Sequence, residues 1–280
     1  MSKNIKKYFP IFMLPTLLAF VIGFIVPFAL GVWLSFCKFT TVTDAQFVGL
    51  SNYIQALKDP EFMHSFLYTT AFVLVTVIVI NVFAFAIAFM LTKKISGSNF
   101  FRSVFFMPNL IGGIILGWIW QLLLNGILAH WGKTIVYSST YGFWGMVILL
   151  SWQQIGYMMV IYIAGLQNIP GDYIEAARVD GANKWQLLRH IILPGMMPSI
   201  TICTFLTVTN GFKMFDQNLA LTNGAPSKAS ELLAMNIFNT FYGRNGFEGV
   251  GQAKAVIFFI VVAIVAVIQN RLTTRKEVQA

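Results

Sequence analysis

Six long apolar stretches decide what this chain can fold into. They lie at about residues 11–36, 68–91, 104–124, 144–166, 196–221 and 253–268. A helix crosses a bilayer core of about 30 Å with roughly 20 apolar residues, and it satisfies its own backbone polar groups inside lipid. With 57% hydrophobic and 10% charged residues, the chain has too little polar surface for a soluble domain of 280 residues. The pattern predicts an all-α integral membrane protein, a single transmembrane domain over 1–280 with six transmembrane helices.

The first stretch has an alternative interpretation as a cleaved secretory signal. Lys6 and Lys7 precede it, and Ala29-Leu30-Gly31 is a small-x-small sequence typical of a cleavage site. The apolar run is much longer than the roughly 7–15 apolar residues of a signal peptide. We therefore predict an uncleaved first helix, followed by a short amphipathic surface helix within 49–62 that Ser51 caps and Pro60 ends.

The distribution of Lys and Arg predicts the orientation, because cytoplasmic loops carry an excess of these residues. With the N-terminus inside, twelve lie on the cytoplasmic side: Lys3, Lys6, Lys7, Lys93, Lys94, Arg102, Arg178, Lys184, Arg189, Arg271, Arg275 and Lys276. Six lie outside: Lys38, Lys58, Lys133, Lys228, Arg244 and Lys254. Both termini and the polar insert at 172–194 are therefore predicted to be cytoplasmic.

The polar insert at 172–194 lies between two of the most apolar runs of the chain. We expect a helix over Ile174–Val179, with Asp172 as its cap and Glu175 favourable to the helix dipole. Gly181 is expected to allow a sharp turn where a side chain would clash. The chain then returns as an amphipathic helix along the membrane face, and Pro194 closes it.

Two motifs resemble those of one transporter family. The insert reads E-A-A-x-x-x-G from Glu175 to Gly181, followed by I-x-L-P ending at Pro194. This pattern resembles the signature loop of the membrane subunits of ABC importers. The segment 212–226, FKMFDQNLALTNGAP, resembles the F-x-x-F-D…L-T-x-G-G-P ending of helix five in the carbohydrate-uptake (maltose and glycerol-phosphate) permeases, with Ala225 in place of the second glycine.

The resemblance implies a permease subunit of an ATP-driven, binding-protein-dependent importer of a sugar or oligosaccharide in the bacterial cytoplasmic membrane. It implies four kinds of partner: a second related permease (a heterodimer), two cytoplasmic ATPase subunits, an extracytoplasmic solute-binding protein and the sugar. The resemblance also implies that the loop forms a coupling helix between helices four and five, which contacts the ATPase through Glu175, Ala176, Ala177, Asp180, Gly181 and Ala182. It implies a substrate path lined by Phe105, Asn109, Gly156, Thr207, Asn210, Gly211 and Met214. An amino-acid, oligopeptide or glycerol-phosphate importer of the same type is the alternative.

Lys213 and Asp216 add two charges to the predicted fifth helix. A charge at the bilayer centre costs on the order of 2.5–3.5 kcal/mol on insertion scales, so it normally faces a cavity or a partner. Asn210, Lys213, Asp216 and Gln217 have the spacing of one helical face, and Lys213 and Asp216 have the spacing of a pair. They either line the path or form a structural ion pair, and the sequence leaves both open.

Other chemistries find little support. Gly132-Lys133-Thr134 lacks the first glycine of a phosphate-binding loop, since Ile127 stands at its position. His64, His130 and His190 are far apart, and Cys37 and Cys203 have no metal-binding spacing. A secondary carrier would need an internal repeat or an ion relay. We therefore expect no enzymatic activity, no metal and no cofactor on this chain, with ATP and Mg²⁺ bound by the partner ATPase and no nucleic acid bound.

Overall fold

The structure is a computed structural model that describes residues 3–93 and 97–274, without the side chains of 3–8 and 10–12. Lys94, Arg275 and Lys276, which enter the charge count above, lie outside the described residues. The described chain is almost entirely helical, and it divides into two compact units. The prediction of an all-α membrane fold is confirmed, whereas the single-domain assignment stays a prediction.

The first unit contains the described residues up to Phe62 together with Ile237–Phe259. Helix α1 (Lys3–Phe20) continues through a π-helical segment (Val21–Ile25) into α2 (Val26–Leu34). A two-stranded hairpin follows, β1 (Cys37–Lys38) and β2 (Gln46–Phe47), with a 3₁₀ turn at Val42–Asp44. Helix α3 (Ser51–Lys58) comes next, and Leu50, which makes no side-chain capping bond, occupies its cap position. The prediction that Ser51 caps this helix is wrong, because Ser51 is its first residue. The helix ends at Lys58, and the extended backbone of Asp59 agrees with the prediction that Pro60 stops it. Pro60 then begins helix α4 (Pro60–Leu91).

A buried ion cluster joins the start of α4 to two later helices of the same unit, α13 (Leu233–Gly243) and α14 (Glu248–Thr274). The fully buried Lys254 Nζ donates to Asp59 Oδ2 at 2.7 Å and to Thr240 Oγ1 at 2.7 Å. Arg244 lies 3.8 Å from Asp59 Oδ2 and also pairs with Glu61. Burial raises the pKa of Asp59, but its hydrogen bond and charge interaction with Lys254 outweigh burial and hold the pKa below its ordinary value.

The second unit contains 63–236 and 260–274 of the described chain. Its helices are α4 (Pro60–Leu91), α5 (Ser98–Phe106), α6 (Gly113–Leu128), α7 (Ser139–Gln167), α8 (Gly171–Val179), α9 (Lys184–Leu187), α10 (Leu193–Gly195), α11 (Met197–Phe212) and α12 (Asp216–Leu221), with the ends of α13 and α14. Short 3₁₀ segments at Met107–Leu110 and Ala129–Trp131 flank α6. Helix α7 lies at the core of this unit, since about half of its residues are buried, among them Met146, Leu149 and Met158.

Small residues let the helices of this unit approach closely. A Cβ atom on Gly156 of α7 would lie 1.8 Å from the Phe105 carbonyl oxygen of α5. A Cβ on Gly117 of α6 would lie 2.5 Å from Ala220 Cβ of α12, and one on Gly113 would lie 2.8 Å from Asp216 Cβ. Gly113, Gly117 and Gly156 therefore mark contacts between helices.

Five described helices are long and apolar enough to span a membrane: Met13–Leu34, Pro60–Leu91, Gly113–Trp131, Ser139–Gln167 and Glu248–Thr274. A sixth span is obtained if Lys184–Gly195 and Met197–Phe212 count as one, although they meet at a bend of 69°. The second and sixth helices are longer than predicted, and the third is interrupted at Met107–Leu110, as its proline and glycines indicate.

The structure divides the predicted fifth helix in two and contains a further helix after it. The fifth helix does not run through 196–221: α11 ends at Phe212, residues 213–215 are not helical, and α12 begins at Asp216. Gly211 precedes this break, and the backbone of Phe215 is far from helical, with φ −126° and ψ −60°. The polar segment 227–252, between the predicted fifth and sixth helices, contains α13 and the first turn of α14.

Candidate functional site

The motif resembling the signature loop folds into a compact turn of helices, here called the elbow (171–195). Its first helix, α8, begins at Gly171 after Pro170, and no side chain caps it. The prediction that Asp172 is the cap is wrong, because Pro170 holds that position. Asp172 lies in the first turn and Arg178 in the last. The negative charge is therefore at the positive end of the helix dipole and the positive charge at its negative end, and both arrangements are stabilising.

The turn after α8 explains the spacing between Ala177 and Gly181. The amide of Ala182 donates to the Ala177 carbonyl at 2.9 Å, and the amide of Gly181 donates to the Arg178 carbonyl at 3.1 Å. This pair of bonds is a Schellman motif, which needs its first residue beyond the cap in the left-handed region. Gly181 is that residue, with φ +79°. The expected clash is wrong, since a Cβ on Gly181 would meet nothing within 4 Å. The backbone angle, and not crowding, requires glycine.

The helix that follows the turn has its own cap, which was not predicted. Asn183 Oδ1 accepts from the amides of Trp185 at 3.0 Å and Gln186 at 2.9 Å. Gln186 Oε1 accepts in return from the Asn183 amide at 2.8 Å. The N-x-x-Q spacing of this capping box is a readable signal. Hydrogen bonds therefore close both ends of the turn.

The return segment does not end as predicted. After α9 it passes through a π-helical stretch, Leu188–Ile192, and Pro194 lies inside α10 and does not close a helix. The chain bends by 69° at Met196, between α10 and α11. A cavity of about 540 Å³ lies behind α8, lined by residues that include Tyr173, Asp180 and His190.

The outer surface of the elbow is exposed and partly apolar. Glu175, Ala176, Asp180 and Gly181 are exposed, and Ala177 and Ala182 are half-buried. Beside them Tyr173, Val179 and Trp185 are 61%, 87% and 65% exposed. Large apolar side chains on a polar projection are typical of a protein-binding surface.

A second set of residues, here called the polar seam, crosses the helices of the same unit. It consists of the side chains Asn81, Gln153, Gln154, Tyr162, Thr207, Asn210 and Gln217, together with the carbonyl of Ile111. Tyr162 donates to Asn81 Oδ1 at 2.6 Å, and Asn81 Nδ2 donates to Thr207 Oγ1 at 3.1 Å. These bonds join α4, α7 and α11.

The rest of the seam lies toward α12. Gln217 donates to Gln153 Oε1 at 2.9 Å, and Gln153 donates to the Ile111 carbonyl at 3.2 Å. Asn210 donates to Gln154 Oε1 at 3.2 Å. Amides that are paired across helices in an apolar bundle satisfy one another's hydrogen bonds and help to fix the helix register.

The structure brings together only some of the predicted path residues. Thr207 and Asn210 belong to the seam, and Phe105 contacts Gly156 through its backbone. Gly211 is buried with its Cβ position 3.0 Å from Val73 Cγ2, Met214 is buried, and Asn109 is half-buried in the 3₁₀ segment.

Lys213 and Asp216 do not form the predicted pair. Lys213 caps the end of α11 and Asp216 begins α12, and both side chains are exposed. No salt bridge joins them in the described part of the chain. The single helical face predicted for Asn210, Lys213, Asp216 and Gln217 is wrong, because the helix is broken between them.

The amides Asn81, Gln153 and Gln154 belong to the seam but were not predicted as site residues, and Gln217 was predicted only as part of a helical face. Their signal in the sequence is plain, since each is an uncharged polar residue within or beside a long apolar run. Within 3–93 and 97–274, no group of three or more His, Cys, Asp or Glu side chains is placed to hold a metal ion.

The class of protein that this fold and site define is a polytopic membrane transport subunit, with an exposed elbow between two spans. The chain belongs to the family described as the binding-protein-dependent transport system inner membrane component, whose model matches residues 96–278. The family-level resemblance carried by the two motifs is therefore confirmed.

Individual relatives cover nearly the whole chain. The probable starch degradation products transport system permease protein AmyD of Thermoanaerobacterium thermosulfurigenes is 41% identical over 96% of this chain and 94% of its own length. The multiple sugar-binding transport system permease protein MsmF of Streptococcus mutans is 31% identical over 99% of each. A chain in the crystal structure of a bacterial ABC transporter that imports the acidic polysaccharide alginate has a similar fold, with a TM-score of 0.81, 17% identity and 98% of both chains covered.

Proposed function

We propose that this chain is a permease subunit of an ATP-driven importer that moves a sugar or oligosaccharide across the cytoplasmic membrane. The observation that carries the proposal is the full-length similarity to permeases named for starch degradation products and multiple sugars. Saccharides present apolar ring faces and many hydroxyl groups, and amides and aromatic rings are suited to bind both.

In this proposal the elbow is the coupling element. Glu175, Ala176, Ala177, Asp180, Gly181 and Ala182 contact a cytoplasmic ATPase subunit, and the exposed Tyr173, Val179 and Trp185 supply apolar contact area beside them. ATP and Mg²⁺ bind to the two ATPase subunits and not to this chain. Because the Gly181 turn and the Asn183 cap stiffen the elbow, a displacement of the ATPase is transmitted to α7 and α11 with little loss in the loop.

The substrate path is proposed to follow the polar seam. Thr207 and Asn210 offer a hydroxyl and an amide from α11, and Gln153 and Gln154 offer amides from α7. Phe105, Asn109, Gly156, Gly211 and Met214 complete the path in this proposal. Lys213 and Asp216 are exposed at the break after α11, where they suit the mouth of a path better than its middle.

Two further partners belong to the proposal. A second, related permease completes the pathway as a heterodimer, and an extracytoplasmic solute-binding protein delivers the sugar. Both termini and the elbow lie on the cytoplasmic side.

Uptake of labelled solutes by a strain that lacks this chain tests the substrate class. A panel of glucose oligosaccharides, monosaccharides, sn-glycerol-3-phosphate, amino acids and peptides would be compared in the deletion strain and in the complemented strain. We expect loss of uptake for one or more saccharides and its recovery on complementation, with amino-acid uptake unchanged as the control. Loss confined to peptides, amino acids or glycerol phosphate would contradict the sugar assignment but leave the importer fold intact.

A further inference from the structure

Helix α3 has a three-sided surface that neither the elbow nor the polar seam explains. Asn52 and Ala56 form its buried side, and Ser51, Gln55 and Lys58 form an exposed polar side. Between the two lies an exposed apolar stripe of Leu50, Ile54 and Leu57, which Phe47 extends. These four side chains are between 53% and 64% exposed.

The helix is fixed to the end of the first span. Asn52 Nδ2 donates to the carbonyls of Ser35 at 2.9 Å and Cys37 at 2.9 Å, directly after Leu34 ends the span. Tyr53 and Ser35 share a hydrogen bond of 2.6 Å between their hydroxyl groups. Since these bonds are made to the chain just beyond the span, α3 is held at the level where that span leaves the apolar core.

Aromatic side chains define that level further. Trp33, in the last turn of the span, is more than half exposed and stacks on Phe47 with ring centroids 5.6 Å apart. Exposed tryptophan at the end of a span is typical of the boundary between acyl chains and headgroups. Because Phe47 stacks on this ring, the apolar stripe begins at the depth of Trp33 and is continuous with the exposed surface of Met13–Leu34.

We propose that α3 is an interfacial helix, which lies in the boundary between headgroups and acyl chains of the phospholipid bilayer. Phe47, Leu50, Ile54 and Leu57 are immersed in lipid, and Ser51, Gln55 and Lys58 face water and headgroups. A helix with a narrow apolar stripe, a polar side and a basic residue at its end binds a membrane surface in this way. The helix anchors the end of the first span, and its immersion does not depend on which solute the protein carries.

Depth-dependent quenching in native membranes tests the proposal. Single cysteines would replace Ile54 and Leu57 in the stripe, and Gln55 and Lys58 beside them as matched controls, in the full-length chain. Cys37 and Cys203 are both buried, so the parent chain provides the labelling background. Each cysteine would carry an environment-sensitive fluorophore, quenched either by spin-labelled phosphatidylcholine or by aqueous iodide, before and after a salt wash that removes peripheral proteins.

We expect the probes in I54C and L57C to emit at shorter wavelength and to be quenched by shallow spin-labelled lipid at least threefold more than those in Q55C and K58C. Iodide should quench in the reverse order, and the salt wash should change neither result. Iodide quenching of I54C equal to that of Q55C would overturn the proposal. The proposal would also be overturned if spin-labelled lipid did not quench the probes in the stripe. In that case a soluble partner covers the stripe if the salt wash makes the probes accessible to iodide, and another integral subunit covers it if the wash does not. If one stripe variant fails to insert, the other provides the test.

Discussion

At Gly156, helix α7 packs directly against the backbone of α5. The position of a Cβ atom there is 1.8 Å from the Phe105 carbonyl oxygen and 2.8 Å from the Phe106 amide nitrogen, so the obstacle is backbone. An alanine requires α5 and α7 to separate, and overpacking of this kind costs about 1–3 kcal/mol. We expect Gly156→Ala to lower the thermal unfolding temperature of the purified protein in detergent.

Gly126 provides the matched control for that substitution. It also lies in a helix, α6, but a Cβ there meets nothing within 4 Å. Replacing it by alanine should leave stability unchanged or raise it by up to about 1 kcal/mol, because alanine favours helix over glycine. Equal unfolding temperatures for the two variants would show that the close approach of α5 and α7 is not needed.

Gly181 is favoured for a different reason, because its φ angle is left-handed although the space around it is open. Its φ of +79° is costly for a side chain with a Cβ by roughly 1–2 kcal/mol, and least costly for asparagine. We expect Gly181→Val to abolish uptake while the protein still inserts in the membrane, and Gly181→Asn to retain a substantial fraction of transport. Uptake and membrane content would be measured together, and equal loss in both variants would favour crowding by a partner over backbone strain.

At the scale of elements, the buried cluster around Lys254 joins α4, α13 and α14. Replacing Asp59 by leucine leaves the fully buried Lys254 ammonium without its carboxylate, which costs about 3 kcal/mol or more. Replacing both Asp59 by leucine and Lys254 by methionine removes the charge along with its partner. We expect the double variant to unfold at a higher temperature than Asp59→Leu alone. The pairing would be contradicted if the decrease in unfolding temperature of the double variant equalled the sum of the decreases in Asp59→Leu and Lys254→Met.

The pH dependence of this cluster follows from the direction of the Asp59 pKa. Because the folded-state pKa lies below the ordinary 3.8, the contribution of the ionised Asp59 to stability is fully present at pH 5 and at pH 7. The contribution is lost as the pH falls through the lowered folded-state value. The difference in unfolding temperature between the parent and Asp59→Leu should therefore be the same at pH 7 and pH 5.

The sequence predicts helices well here because lipid leaves few alternatives to them, and it predicts their contacts less well. The apolar runs identified the spans, and the glycine spacing of the elbow identified its turn. The break at 213–215 was missed because it depends on how α12 packs on α6 through Gly117 and Ala220, which are distant in sequence. The seam was recognised only in part, since the hydrogen bonds of Gln153 to Gln217 and of Asn81 to Thr207 depend on helix register.

At the scale of the whole molecule, the charge distribution bears on the direction of transport. The predicted orientation depends on an excess of Lys and Arg on the side of the elbow. Lys254, counted among the outer residues, is buried within α14 and paired with Asp59, so it contributes no charge to an outer loop. The excess of Lys and Arg on the side of the elbow is therefore larger than the excess counted from the sequence.

Accessibility of single cysteines from the two sides of the membrane tests this orientation. Thr134 lies in the exposed connection between α6 and α7, and Lys184 is exposed on the elbow. A membrane-impermeant maleimide should label T134C in intact cells (spheroplasts where an outer membrane is present), and K184C only after the cytoplasmic membrane is permeabilised. The parent chain, with Cys37 and Cys203 buried, sets the background in both conditions. Labelling of K184C in intact cells would place the elbow outside, away from any cytoplasmic ATPase, and the proposed coupling role would fall while the fold and family membership remained.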